Sequence, residues 1–132
     1  MHNVVDTSGW LEYMTNGPLS NLFAPAVENT HLLIVPTVSV LEVFRWVLRE
    51  RGESDALRAT AMMQQGVVVD LDAALALKAA KLGNALKLPL ADSVIYATAR
   101  EFNAVLWTQD AHFAGLPGVE YHPKYQPPKG AT

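Results

Sequence analysis

Asp6, Glu42, Asp92 and Asp110 come from four distant parts of the chain, and each borders a run of apolar residues. Asp6 ends "NVVD", Asp92 follows "LPLA", and Asp110 lies two residues beyond "AVLWT". Glu42 sits early in "SVLEVFRWVLRERG". Carboxylates gathered without cysteine or histidine form a hard oxygen set suited to Mg²⁺ or Mn²⁺. Without a cation, such like charges raise one another's pKa. With one, they form a centre that binds phosphate oxygens and activates water. Each acid also has a plainer reading. Asp6 with Thr7 and Ser8 reads as a strand-to-helix turn, and Asp92 as a complement to a helix dipole. Asp110 reads as the N-cap of a short helix over 110–115, and Glu42 as a surface partner of Arg45. Capping does not readily explain four acids on one rim.

That rim depends on the elements between the acids. Short apolar runs over 3–6, 32–36, 67–70 and 104–108 read as strands, with a fifth over 119–122. Helical patterns fall between them. A short helix over 8–15 takes Ser8 as its N-cap, and a broken helix spans 18–29. Further helices cover 39–52, 53–66 and 72–86, and Pro89 opens another. Buried strands separated by helices predict a parallel sheet covered on both faces. Ligands then bind beyond the carboxyl ends of the strands, where the strand order reverses. Asp6 and Asp110 fall at carboxyl ends. Two helices between the third and fourth strands let the second begin near that same edge, which carries Asp92 there. On the helix over 39–52, Val40, Val43, Phe44 and Val47 form the apolar face. Glu42 lies opposite, with Arg45, Arg49 and Trp46.

The chain has 132 residues, half of them apolar and 17% charged, which suits one domain with a real core. Residues 1–122 read as that domain, and the proline-containing tail over 123–132 is expected to lie loose on the surface. With no cysteines, disulfides, thiolate metal sites and cysteine nucleophiles are excluded. No signal peptide or membrane span is expected, so the expected location is cytoplasmic. The net charge of −3 argues against a strongly basic nucleic-acid binder. Setting 4 of the 13 acids aside for a metal site leaves 9 against 10 basic groups. No phosphate-loop, dinucleotide or serine-hydrolase motif occurs. The histidines show no metal-binding spacing, and only His112 falls near the acids.

"VVDTSGWLEY", "SVLEVFRW", "LPLADSVIYATA" and "LWTQDAHF" resemble, in order, the motifs of the PIN domain, and most closely a VapC-type toxin ribonuclease. The resemblance covers roughly residues 3–122. It implies a three-layer α/β/α sandwich with a mostly parallel central sheet. It also implies metal-dependent hydrolysis of RNA phosphodiesters, leaving a 5′-phosphate and a 3′-hydroxyl. Asp6, Asp92 and Asp110 match the family's metal ligands, and Glu42 its fourth acid. Thr108 matches a small hydroxyl residue beside the last acid. The second acid that many members carry after it is replaced here by His112 and Phe113, so the number of metals stays open. An antitoxin partner and a homodimer are implied as well. Arg45 and Arg49 are candidate RNA contacts. The alternatives are a Mg²⁺-dependent phosphohydrolase or phosphotransferase with Asp6 as nucleophile, and a catalytically silent binding module with an acidic rim.

Overall fold

The computed structural model describes residues 1–130. Five parallel strands, β1 (Asn3–Val5), β2 (Leu33–Pro36), β3 (Val67–Val69), β4 (Val105–Thr108) and β5 (Val119–Tyr121), form one sheet. Their order is β3-β2-β1-β4-β5, and every pairing is parallel. The helices between them are α1 (Thr7–Met14), α2 (Ser20–Glu28), α3 (Thr37–Arg51), α4 (Glu53–Met63), α5 (Ala73–Leu86) and α6 (Leu90–Glu101).

Strand alternation splits the core into two layers. Val5, Leu33 and Val35 pack under α1 to α4, against Trp10, Phe23, Val43, Val47 and Met63. Val4, Ile34 and Leu106 pack on the other face, against Ile95, Tyr96 and Ala99 of α6 and against Phe113. Leu75 and Ala79 of α5 pack on Val94 and Ala97 of α6. The α/β/α sandwich implied by the sequence is therefore the observed architecture. Among the described residues no helix is long and apolar enough to cross a membrane.

Several local expectations need correction. Helix α1 starts at Thr7, and its N-cap is Asp6 rather than Ser8; the Asp6 side chain accepts the Gly9 N–H. An ionised carboxylate at the end of β1 meets the free N–H groups of the first turn, leaving the Ser8 hydroxyl for other partners. Helix α2 is not broken but runs on through Pro25. Proline removes the N–H that would bond the Asn21 carbonyl, and Asn21 is exposed, so water can take that carbonyl. Strand β3 is not covered on both faces, since Val67 and Val68 are 47% and 39% exposed at the sheet edge. Residues 122–128 contain no helix or strand.

Candidate active site

The strand order reverses between β1 and β4, and both carry an acid just past their carboxyl ends. Backbone pairing holds them side by side, because the Asp6 N–H donates to the Trp107 carbonyl at 3.1 Å. Asp6 is 2% exposed. Its Oδ1 accepts from Ser8 Oγ at 2.7 Å and from the Gly9 N–H at 2.9 Å. Its Oδ2 accepts from Thr108 Oγ1 at 2.6 Å. Burial still outweighs these bonds and raises the Asp6 pKa to about 6, with the Asp110 charge adding to the rise.

Thr108 links the two strand ends. Fully buried, it donates to Asp6 and accepts the Asp110 N–H at 2.8 Å. Asp110 caps a 3-10 turn, Ala111–Phe113, by accepting the His112 N–H at 2.9 Å. That turn brings the His112 ring back over the acids. Its Nδ1 lies 2.8 Å from Asp110 Oδ1 and 3.2 Å from Asp92 Oδ2.

Asp92 arrives from the opposite helical layer, in the first turn of α6. Pro89 supplies an extended residue before that turn. The start of α6 can lie close to α5 because Gly83 has no side chain; a Cβ there would overlap Ser93. The Asp92 pKa is raised to about 7, first by burial, then by the Asp110 charge and by a hydrogen bond shared with Asp110. His112 opposes the rise, and Asp6 adds a small further push. One ligand atom from each of Asp92, Asp110 and His112 lies within 4.8 Å of the other two. Glu42 joins by a separate route, its Oε1 accepting from Thr7 Oγ1 at 2.6 Å.

The structure thus brings Asp92 and Asp110 together with His112. It ties Asp6 to Asp110 through Thr108, and Glu42 to the residue after Asp6. Arg45 and Arg49 make no ion pair with these acids among the described residues. Arg49 pairs with Glu50 at 3.1 Å, and Arg45 borders a groove between α3 and α4. Sequence reasoning gave no weight to Gln109 or to Ser8 as a support. Ser8 Oγ donates to Asp6 and accepts the Gln109 N–H at 3.1 Å. The tripeptide Asp6-Thr7-Ser8 carried the signal, since two hydroxyls following a strand-end acid can each bind a carboxylate.

A parallel α/β sandwich with carboxylates converging at its switch point defines a class of acidic-site domains. The PIN domain profile matches residues 4–119, and the chain belongs to that family. Solved structures with the same fold include a toxin–antitoxin complex from Klebsiella pneumoniae, with TM-score 0.78 and 20% identity, covering 93% of this chain and 99% of that one. Mycobacterium tuberculosis VapC20, a sarcin–ricin-loop-cleaving toxin, gives TM-score 0.75 and 18% identity over 92% and 99% of the two chains. VapBC2 from Rickettsia felis, bound to a promoter DNA fragment, gives TM-score 0.71 and 15% identity over 93% and 98%. No curated protein matched by sequence.

Proposed function

We propose that this chain is a metal-dependent ribonuclease acting as the toxin of a toxin–antitoxin pair. The observation that carries the reading is the convergence of Asp92, Asp110 and His112 beside the buried Asp6, at the carboxyl edge of a PIN sheet. Burial, together with the neighbouring Asp110 charge, raises the Asp92 pKa to about 7, which fits a site that a cation completes. Asp92 and Asp110 would hold Mg²⁺ or Mn²⁺, with Asp6 held ready by Thr108 and Ser8. The ion would offset phosphate charge and lower the pKa of a water. Glu42, oriented by Thr7, would orient the attacking water and take its proton. The His112 ring lies against both carboxylates and could share in holding the ion. Arg45 and Arg49, exposed on α3, would meet RNA phosphates. A covalent phosphate on Asp6 is disfavoured, because both its oxygens are hydrogen-bonded and the residue is buried.

Several neighbouring structures are toxin–antitoxin complexes, which supports a protein partner for this chain. A groove lined by Leu11, Met14, Trp46, Val47 and Met62 would take the partner's apolar segment, with a basic side chain reaching the acids. A cytoplasmic homodimer belongs to the same reading. The test is cleavage of single-stranded or loop RNA by the purified chain with Mg²⁺ or Mn²⁺. Cleavage should stop with EDTA and with the co-expressed partner. Cleavage unchanged by exhaustive EDTA treatment would overturn the metal mechanism, and the absence of cleavage with either ion would favour a silent binding module.

A further inference from the structure

Gln109 sits between Thr108 and Asp110, so the strand end that sets the acids also sets its position. It is 7% exposed, and its Nε2 is buried with no hydrogen-bond partner among the described residues. A buried amide donor left unpaired destabilises the fold. A ligand is one partner that can complete such a group.

Two clefts meet at this residue. One, of about 720 Å³, is bordered by Ser8, Trp46, Arg51, Gln109, Lys124 and Tyr125. The other, of about 430 Å³, is bordered by Gln109 and Lys124 as well, and reaches Asp110. The larger cleft therefore opens beside the acidic site. It is bordered by two aromatic rings, two cations and Gln109. Its acid, Glu12, is engaged, with Oε2 accepting the Leu19 N–H at 2.7 Å. Aromatic faces stack unpaired bases, cations hold phosphates, and an amide reads a base edge.

We propose that this cleft is a base-selecting pocket for the RNA nucleotide next to the cleaved bond. The base stacks on Trp46 and Tyr125, its edge pairs with the Gln109 amide once that amide turns from its buried position toward the cleft, and Arg51 and Lys124 hold the flanking phosphate. The proposal rests on the ribonuclease reading and adds to it the residue that selects the substrate. Residues 122–128 lack helix and strand, and Lys124 borders both clefts, so this segment forms a wall that the nucleotide would meet.

A library of short oligoribonucleotides with a random central window tests this. The chain is offered the library with Ca²⁺ in place of Mg²⁺, and the retained RNA is sequenced. The original chain should favour one base at one position by roughly 10-fold or more, and Gln109→Leu should reduce that preference to about 2-fold or less. Trp46→Ala should weaken retention of every sequence by roughly 10-fold. Gln109→Leu removes an unpaired buried polar atom, so its melting temperature should equal or exceed that of the original chain. Gln109→Met, of similar length, is the second variant. An unchanged base preference in both variants would overturn the pocket. So would a Gln109 effect seen only on binding of a protein partner. Cleavage with Mg²⁺ is scored separately. Base-selective retention without cleavage would refute the ribonuclease reading and keep the pocket, whereas cleavage with unaltered preference in the Gln109 variants would do the reverse.

Discussion

Burial and the Asp110 charge disfavour the ionised form of Asp92, and His112 offsets only part of this. The Asp92 carboxylate is 15% exposed and faces Asp110, and the α6 N-terminus offsets only part of that charge, typically ~0.3–1 kcal/mol. Asp92→Asn should therefore lose most RNA cleavage while leaving the metal-free protein as stable or more stable at neutral pH. Mg²⁺ should raise the melting temperature of the original chain more than that of the variant. Full cleavage by the variant would remove Asp92 from the site. The same electrostatics predict a pH dependence. Asp6 and Asp92 have folded pKa values of about 6 and about 7, both above the ordinary 3.8. As pH rises through the window from about 4 to about 7, the unfolded chain gives up these protons first and the folded chain keeps them. Folding is then linked to proton uptake, so stability should fall across that window and level off above it. Urea denaturation in EDTA at both ends of the window measures this, and stability rising with pH would contradict it. The acids were legible in the sequence because each borders an apolar run at a strand or helix end. His112 was harder to weigh, because its contact with Asp92 joins segments 20 positions apart through a 3-10 turn that periodicity does not reveal.

At the level of elements, the site depends on how closely α1 approaches the sheet. Asp6 can cap α1 and still reach Thr108 because Gly9 lets the first turn sit against β1 and α2. A Cβ on Gly9 would come within 2.7 Å of Val5 Cγ1 and 2.9 Å of the Phe23 ring, both fully buried. Gly9→Ala should destabilise the fold by roughly 1–3 kcal/mol through overpacking. Because the displaced turn carries the N–H that bonds Asp6, cleavage at a temperature where the variant remains folded should also drop. Thermal melts and cleavage assays on the same sample check both effects, and unchanged stability would show that the turn can shift freely. The strands and most helices were legible from apolar runs and from Gly52, Pro89 and other boundary residues. The N-cap was misassigned because serine and aspartate are comparable caps, and only the end of β1 decides between them. The exposure of β3 was hidden because "VVVD" reads the same at a sheet edge as at its centre.

Across the whole molecule, strand order turns these local features into a site. With β1 and β4 adjacent at the reversal, residues 104 positions apart in the sequence become neighbours, as Asp6 and Asp110 do through Thr108. A parallel sandwich was legible from the alternation of strands and helices, whereas the order β3-β2-β1-β4-β5 was not, because apolar strands carry little information about which neighbour they choose. The charge of the molecule sets its dealings with a polyanion. The chain carries −3 overall, from 13 acidic and 10 basic side chains, and the acids that repel phosphate are concentrated at the rim where RNA would be cut. RNA binding without divalent ions should therefore be weak. It should stay constant or strengthen as NaCl rises from about 50 to about 300 mM, because salt screens repulsion between like charges. With Ca²⁺ present, an ion held at the rim would neutralise it and leave only a few basic groups to release counterions. Binding should then be tighter and should weaken with salt at a log–log slope of about −2 to −3, well short of the steep slopes of proteins that neutralise many phosphates. Fluorescence anisotropy with a labelled single-stranded RNA, titrated at four salt concentrations with EDTA and with Ca²⁺, measures both slopes. A steep loss of affinity with salt in EDTA would mean that a basic surface, rather than a cation at the acidic rim, governs RNA binding.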